Sequence, residues 1–371
     1  LILSFKLTFF MEISLASYLP IVFPYLNSEI ATPQTLFSVK KTAKLLAPIP
    51  RAGFEIRLDN DRSQIDFQQG ILAQDKEPQI LTKHLASLIA SDERFKDSVW
   101  KRLHLFCELW SNPNSFLYPR ITEVWLEFDF PDLNNESLIP SIFIGLSQNL
   151  NNSEEALAVT KYVLKLLLPE MKDNLLKNLS NCFTACKTPA RITHLGMMLS
   201  RQTEGLRINI TKIYPQQIVS YLERVGYPSD LEPIELLVIK LLKSVDYFRL
   251  CLNVGDTIDA KVGLECFMNP KPKLSLRWSE FLDNLVNEGL CSAEKQQALL
   301  NWIGNTTPQT SSQPWLSDLI AESCLKPPNQ FSSFARIISH LKFVYSPPNL
   351  LETKAYFGFY HQWLQPNFTQ K

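Results

Sequence analysis

A chain of 371 residues, 45% apolar and 20% charged, is long enough for one large domain or two ordinary ones, and is neither disordered nor fibrous. Its 37 Lys and Arg balance its 37 Asp and Glu, which leaves no global attraction for nucleic acid or an anionic membrane. Nowhere do ~18 uninterrupted apolar residues occur, so no membrane span is expected.

The opening stretch "LILSFKLTFF" precedes Met11, and Lys6, Glu12, Pro20 and Pro24 interrupt every apolar run that could serve as a signal peptide. Residues 1–10 therefore read as translated upstream sequence, and 11–371 as a single domain. A weak helical pattern covers about 12–27, and "PQTLFSVKKTAKLL" (33–46) reads as a helix. Two strands follow, "AGFEIRLDN" (52–60) and "SQIDFQQGI" (63–71), across a turn at "DNDR". The helices "PQILTKHLASLIAS" and "RFKDSVWKRLHLFCELW" carry apolar residues at 3.6 spacing. Then "EVWLEFDF" (123–130) alternates strictly, and "PSIFIGL" (140–146) is its partner across "PDLNNES".

The same order repeats. Helices "SEEALAVTKYVLKLLL" and "DNLLKNLSNCFTAC" lead to strands 190–199 and 205–211. Helices "YPQQIVSYLERVG" and "LEPIELLVIKLLKSV" lead to strands 247–255 and 259–267. Helices "SLRWSEFLDNLVNEG" and "AEKQQALLNWIG" precede a polar, Pro-rich insertion over about 306–333, with a short helix at "WLSDLIAE", and then strands 336–345 and 353–361.

Five ααββ units predict an α+β fold in which each strand pair is an antiparallel hairpin. Ten such strands can close into an antiparallel β-barrel without exposed edges, surrounded by a ring of α-helices over the apolar strand faces. A barrel of that size is too wide for its own side chains to fill, so it encloses a solvent-filled lumen. The rival arrangement is a set of open sheets whose polar face meets water. The long amphipathic helices, and Trp125, Phe143, Tyr356 and Tyr360 on the polar parity, favour the barrel.

Alternation assigns the lumen face. On the first four strands it gives Glu55, Arg57, Asp66, Gln68, Trp125, Glu127, Asp129 and Phe143. The next four give Arg191, Thr193, Arg207, Asn209, Arg249, Cys251, Asn253, Lys261 and Glu265. The last hairpin adds His340, Lys342, Lys354, Tyr356 and Tyr360. Of the five histidines, His340 alone has the parity to face a cavity.

This element order resembles the ABBA, or PT-barrel, fold of soluble aromatic and peptide prenyltransferases, over essentially all of Met11 to Trp363. The resemblance implies transfer of a short isoprenoid from an allylic diphosphate (dimethylallyl or geranyl) to an aromatic (indole or phenol) or peptide side-chain acceptor inside the barrel. In indole-type members a first-strand glutamate contacts the acceptor nitrogen. Glu55 in "GFEIRL" holds the similar place, which implies acceptor binding and general-base duty. The similar diphosphate positions are Arg207, Lys261, Lys342, Lys354 and Tyr356, with Arg57 and Arg249 as further candidates. Trp125, Glu127, Asp129, Glu265, His340 and Tyr360 are candidates for holding the acceptor and shielding the allylic cation.

Lys354 and Tyr356 reproduce a K-x-Y pattern of the family's strands, whereas "SIFIGL" carries no charge. The alternative is a catalytically inactive barrel that binds a small molecule or peptide as a pathway accessory. No DDxxD-like aspartate pair occurs, which leaves a Mg2+ requirement open, and no G-x-S-x-G, H-E-x-x-H or Walker motif is found. The seven cysteines lack framework spacing, as reduced thiols of a cytoplasmic protein do. Cys182 and Cys186 share a helical face but have no further zinc ligands nearby.

Overall fold

The computed structural model describes residues 14–59, 63, 65–130, 138–150, 152–200, 205–269, 274–348 and 350–365. Residues 1–10, Met11, the turn 131–137 and most of the turn 59–62 lie outside them. The first unit holds α1 (Leu19–Val22), α2 (Pro33–Ala43), β1 (Arg51–Arg57) and β2 (Ile65–Leu72). The second holds α3 (Glu77–Ser91), α4 (Ser98–Ser111), β3 (Ile121–Phe128) and β4 (Ser141–Leu146). The third holds α5 (Ser153–Leu167), α6 (Asp173–Ala185), β5 (Arg191–Met197) and β6 (Leu206–Thr211). The fourth holds α7 (Pro215–Arg224), α8 (Glu232–Leu241), β7 (Tyr247–Val254) and β8 (Ile258–Phe267). The fifth begins with α9 (Leu274–Asn287) and α10 (Ala293–Trp302). It continues through β9 (Gly304–Thr306) and α11 (Ser317–Ser323) to β10 (Phe331–Ser346) and β11 (Leu350–Leu364).

Helix starts follow local chemistry. Thr32, Asp97, Asn152 and Ser292 accept hydrogen bonds from the backbone N–H of Thr35, Val99, Glu155 and Lys295, and each such cap contributes about 1 kcal/mol. The helical pattern over 12–27 does not become one helix. Its single α-turn, α1, lies between 3-10 turns at Leu15–Ser17 and Phe23–Tyr25, because Pro20 and Pro24 lack the N–H that a continuous helix needs.

Among the described residues eleven strands form one sheet, and ten of them close as a barrel. Strands β1 to β8 pair antiparallel in sequence order, β8 pairs with β10, and β10 with β11. Closure is made by β11 on β1, from Arg51 opposite Tyr360 to Arg57 opposite Lys354. The eleventh strand, β9, lies outside the ring, with Gly304–Thr306 opposite Arg336–Phe334. It extends the last hairpin, whose ladder begins at Phe331 opposite Leu364 and so starts earlier than the sequence pattern indicates.

The core lies between the barrel's outer face and the helices. Phe54, Ile56, Val124, Leu126, Ile208, Leu250 and Phe343 point outward and are buried beneath Trp100, Trp110, Trp278 and Trp302 and their neighbours. Burial of each such large side chain contributes roughly 1.5–3 kcal/mol. Two tryptophans also tie helix to strand: the Trp110 indole donates to the Ile121 carbonyl at 3.1 Å, and that of Trp302 to Gly358 at 3.1 Å. Gly358 tolerates no side chain, since a Cβ there would lie 2.3 Å from the Ala52 carbonyl oxygen across the closing strand pair.

Candidate active site

The inward parity lines a cavity of about 330 Å³ that runs from the Arg51–Tyr360 end of the strands toward Glu55. One wall is built by pairing large residues with glycines across strands. Trp125 stands opposite Gly70, and Phe143 opposite Gly196. A Cβ on Gly70 would come within 2.7 Å of the Trp125 ring, and one on Gly196 within 2.5 Å of Phe143. The missing side chains are what give these rings room.

The opposite wall collects charge. The Glu265 carboxylate receives Lys342 Nζ at 3.3 Å, Arg249 Nη1 at 3.3 Å, Asn209 Nδ2 at 3.2 Å and Cys251 Sγ at 3.1 Å. Burial pushes its pKa up, but Lys342, then His340 and Arg249, outweigh burial and hold it far below the usual carboxylate range. On β1, Glu55 accepts from Lys354 Nζ at 2.6 Å and from the Tyr356 hydroxyl. Burial again opposes ionisation; the Lys354 charge and hydrogen bond, the Tyr356 hydrogen bond and Lys342 prevail and hold Glu55 at about 2. Lys342 and Lys354 are direct cross-strand neighbours, and each turns its charge to a different carboxylate.

Strands β2 and β3 reverse this pattern. Asp66 is raised to about 6 by burial and by the charges of Glu55 and Asp129, against Arg57 at 3.7 Å. Glu127 accepts from Gln68 Nε2 at 2.7 Å and is raised to about 8 by burial, Glu55 and Asp129, with Arg207 opposing.

Rings complete the wall beside Glu265. His340 lies between Phe267 (centroids 4.7 Å apart, interplanar angle 29°) and Tyr356 (4.4 Å, 11°). Tyr247 extends the stack at 4.9 Å from Phe267 and 2° from parallel, and the Arg249 guanidinium lies 4.9 Å from the Phe267 centroid.

Of the residues singled out from the sequence, Trp125, Glu127, Arg207, Arg249, Glu265, His340, Lys342, Tyr356 and Tyr360 line this cavity. Glu55, Lys354 and Arg57 belong to the far end of the same strands, with Glu55 reaching the cavity wall through Tyr356, and Asp129 follows the last residue of β3. Lys261 does not join them. It shares the inward parity of Glu265 but sits near the start of β8, where its side chain is exposed.

The expectation that His340 alone among the histidines faces the cavity is also corrected. A register shift between Ile192 and His194 turns His194 inward in place of Thr193. Its Nε2 lies 2.8 Å from Glu123 Oε1, and the Trp125 indole donates to Glu123 Oε2 at 3.0 Å. Burial pushes Glu123 up, but the His194 and Trp125 hydrogen bonds hold it at about 2. Arg51, Glu123 and Phe267 are further cavity residues that the sequence reading does not single out. Arg51 pairs with Glu77 at 3.3 Å. Among the described residues no three His, Cys, Asp or Glu side chains are grouped to hold a metal ion.

A closed ten-stranded antiparallel barrel within a ring of helices, with a polar lumen, is the PT-barrel fold. No protein-family model and no curated protein matches the sequence. Solved structures do match. The apo form of the prenyltransferase PriB is similar at a TM-score of 0.54 and 14% identity, over 92% of this chain and 94% of that one. The 5-dimethylallyltryptophan synthase of Streptomyces coelicolor is similar at 0.51 and 12% identity, over 92% of this chain and 97% of that one. The latter has also been solved with DMASPP and Trp, and PriB with product diphosphate. Among the described residues no helix is long and apolar enough to cross a membrane.

Proposed function

We propose that this barrel is a prenyltransferase that moves a short isoprenoid from an allylic diphosphate to an aromatic acceptor held in its lumen. The observation that carries the reading is the convergence of Lys342, Arg249, Asn209 and Cys251 on one anionic centre, beside the Phe267–His340–Tyr356 stack. A leaving diphosphate needs charged donors fixed in place, and an allylic cation needs aromatic faces and little water. PriB and the Streptomyces synthase, which share the fold, have been solved with a diphosphate and with DMASPP and Trp, which supports the substrate classes. A cavity of about 330 Å³ favours dimethylallyl over geranyl diphosphate when the acceptor must fit beside it.

In this reading Lys342, Arg249 and Arg207 hold the diphosphate, and Trp125, Phe143 and Tyr356 screen the cation. Glu55 holds the acceptor and takes its proton after the new bond has formed. A carboxylate held at about 2 is a weak base for a neutral indole or phenol. The cationic adduct left by alkylation is far more acidic, so a weak base suffices.

The test is product analysis with dimethylallyl and geranyl diphosphate against indoles, phenols and Tyr- or Arg-containing peptides. A prenylated product is expected, and Glu55→Gln should slow its formation by about tenfold, through weaker holding of the acceptor more than through loss of the base. No product with any acceptor, together with no pyrophosphate binding, would overturn the assignment. That outcome would favour the second reading, a ligand-binding accessory barrel. The observation behind it is that Lys342, Arg249 and Lys354 are already matched by Glu265 and Glu55.

A further inference from the structure

Around Glu265, three side-chain atoms are buried without a hydrogen-bond partner, Asn209 Oδ1, Arg249 Nε and His340 Nε2, and of these only the imidazole nitrogen belongs to a group that readily changes its protonation state. His340 Nε2 is buried without a hydrogen-bond partner and lies 3.9 Å from Glu265 Oε2, too far for a hydrogen bond. The other ring nitrogen, Nδ1, lies 3.0 Å from Ser339 Oγ. Phe267 and Tyr356 clamp the imidazole on both faces, so it cannot swing to another partner. A bulge between Ile338 and His340 sets it in this position, inside the cavity wall.

We propose that His340 is a proton-switched ligand for the donor's diphosphate: neutral in the empty barrel, it binds the diphosphate as an imidazolium through Nε2–H. The inference rests on the transferase reading above and adds to it a residue, a protonation step and a direction of pH dependence.

The groups facing the ring explain both states. Glu265 from β8, Arg249 from β7, Lys342 from its own strand, and Glu55 from β1 act on it, with Tyr356 of β11 stacked beneath. Burial keeps His340 neutral, lowering it to about 4; Glu265 and Glu55 oppose this, and Arg249 and Lys342 reinforce it. A diphosphate seated against Arg249 and Lys342 reverses the local charge. An anion within a few ångströms favours the imidazolium. The ring takes one proton from solvent and gains the donor that its orphaned nitrogen lacks. Glu265 is then the internal counter-ion that the incoming diphosphate replaces, so Glu265→Gln should bind pyrophosphate more tightly than the wild type.

The test uses the full chain, labelled with 15N at histidine, with inorganic pyrophosphate as the probe. Without pyrophosphate at pH 7, His340 should show the shifts of a neutral imidazole; at saturation both nitrogens should move to imidazolium values. His340→Gln should bind pyrophosphate about tenfold more weakly at pH 6, with the gap closing by pH 9. If this variant does not fold, the wild-type spectrum still decides, because the His340 ring is assigned through its contacts with Tyr356 and Phe267. Pyrophosphate bound to a His340 that stays neutral would overturn the proposal and leave the transferase reading standing. No binding at millimolar pyrophosphate would also overturn the proposal, and the transferase reading would fall with it only if no prenylated product forms either.

Discussion

The two charged walls of the lumen use the same residue types and shift their carboxylate pKa values in opposite directions. Around β8, β10 and β11, each carboxylate is saturated with donors: Glu265 by Lys342, Arg249, Asn209 and Cys251, and Glu55 by Lys354 and Tyr356. Around β2 and β3, Asp66 and Glu127 stand among other carboxylates, with Arg57 at 3.7 Å from one and Arg207 acting at longer range on the other. Burial is nearly equal, at 5–6% exposure for all four acids. Cross-strand neighbours therefore decide the charge, and the difference marks a wall built for anions and a wall built for groups that accept or share a proton.

Breaking the first wall should have the largest effect. Lys342 and Glu265 side chains are each 6% exposed. Lys342→Met leaves a buried carboxylate short of its main cation, and such losses cost roughly 3–5 kcal/mol. The urea midpoint should fall accordingly, and an unchanged midpoint would mean that Arg249 alone can neutralise Glu265.

The second wall should respond with the opposite sign. Glu127 is raised from 4.5 to about 8, so the fold retains a proton that the unfolded chain releases near 4.5. That stabilisation is complete below pH 4.5 and is lost as the pH climbs to about 8, over which the wild type should weaken relative to Glu127→Gln by a few kcal/mol. Glu55 is the mirror case. Held at about 2, it contributes stability above pH 4.5 that disappears as the pH falls toward 2, and Glu55→Gln should flatten that acid limb. Parallel pH–stability curves for wild type and Glu127→Gln would refute the assigned crowding.

The wall between the two can be tested by filling a gap. A Cβ on Gly196 would meet Phe143 Cε1 at 2.5 Å. Gly196→Ala should cost about 1–3 kcal/mol by overpacking, or less if Phe143 moves into the cavity at the expense of ligand volume. Adding Phe143→Ala should recover most of the loss, and the double-mutant cycle measures the coupling.

The fold was legible because two periodicities agree: apolar residues at 3.6 spacing in the helices and at spacing two in the strands. Glu55, Glu127, Glu265, Lys342 and Tyr356 all lie on the parity that alternation assigns to the lumen. His194 does not, since the bulge after Ile192 shifts β5 by one residue, and "ARITHLGMML" is too apolar on both faces to reveal it. Arg51, Glu123 and Phe267 continue the same parity toward strand ends, where alternation has few neighbours to anchor it. The pairing of charges was not legible at all. Glu55 meets Lys354, 299 residues away, only because β11 closes on β1 in one particular register.

Lys261 gives the smallest expected effect and separates parity from position. It lies four residues before Glu265 on the same face of β8, yet its side chain is exposed while Glu265 is buried. Its surroundings are those of a strand end: its backbone N–H donates to Asp259, whose carboxylate accepts from Asn253 at 3.0 Å. Lys261→Ala should change stability by less than about 0.5 kcal/mol and leave pyrophosphate affinity within about twofold of the wild type. A tenfold loss of affinity would instead put the anion at the Lys261 end of the barrel, remote from Arg249 and His340. Inward parity would then be sufficient for a binding role, and the contrast between the saturated and the crowded wall would no longer locate the donor.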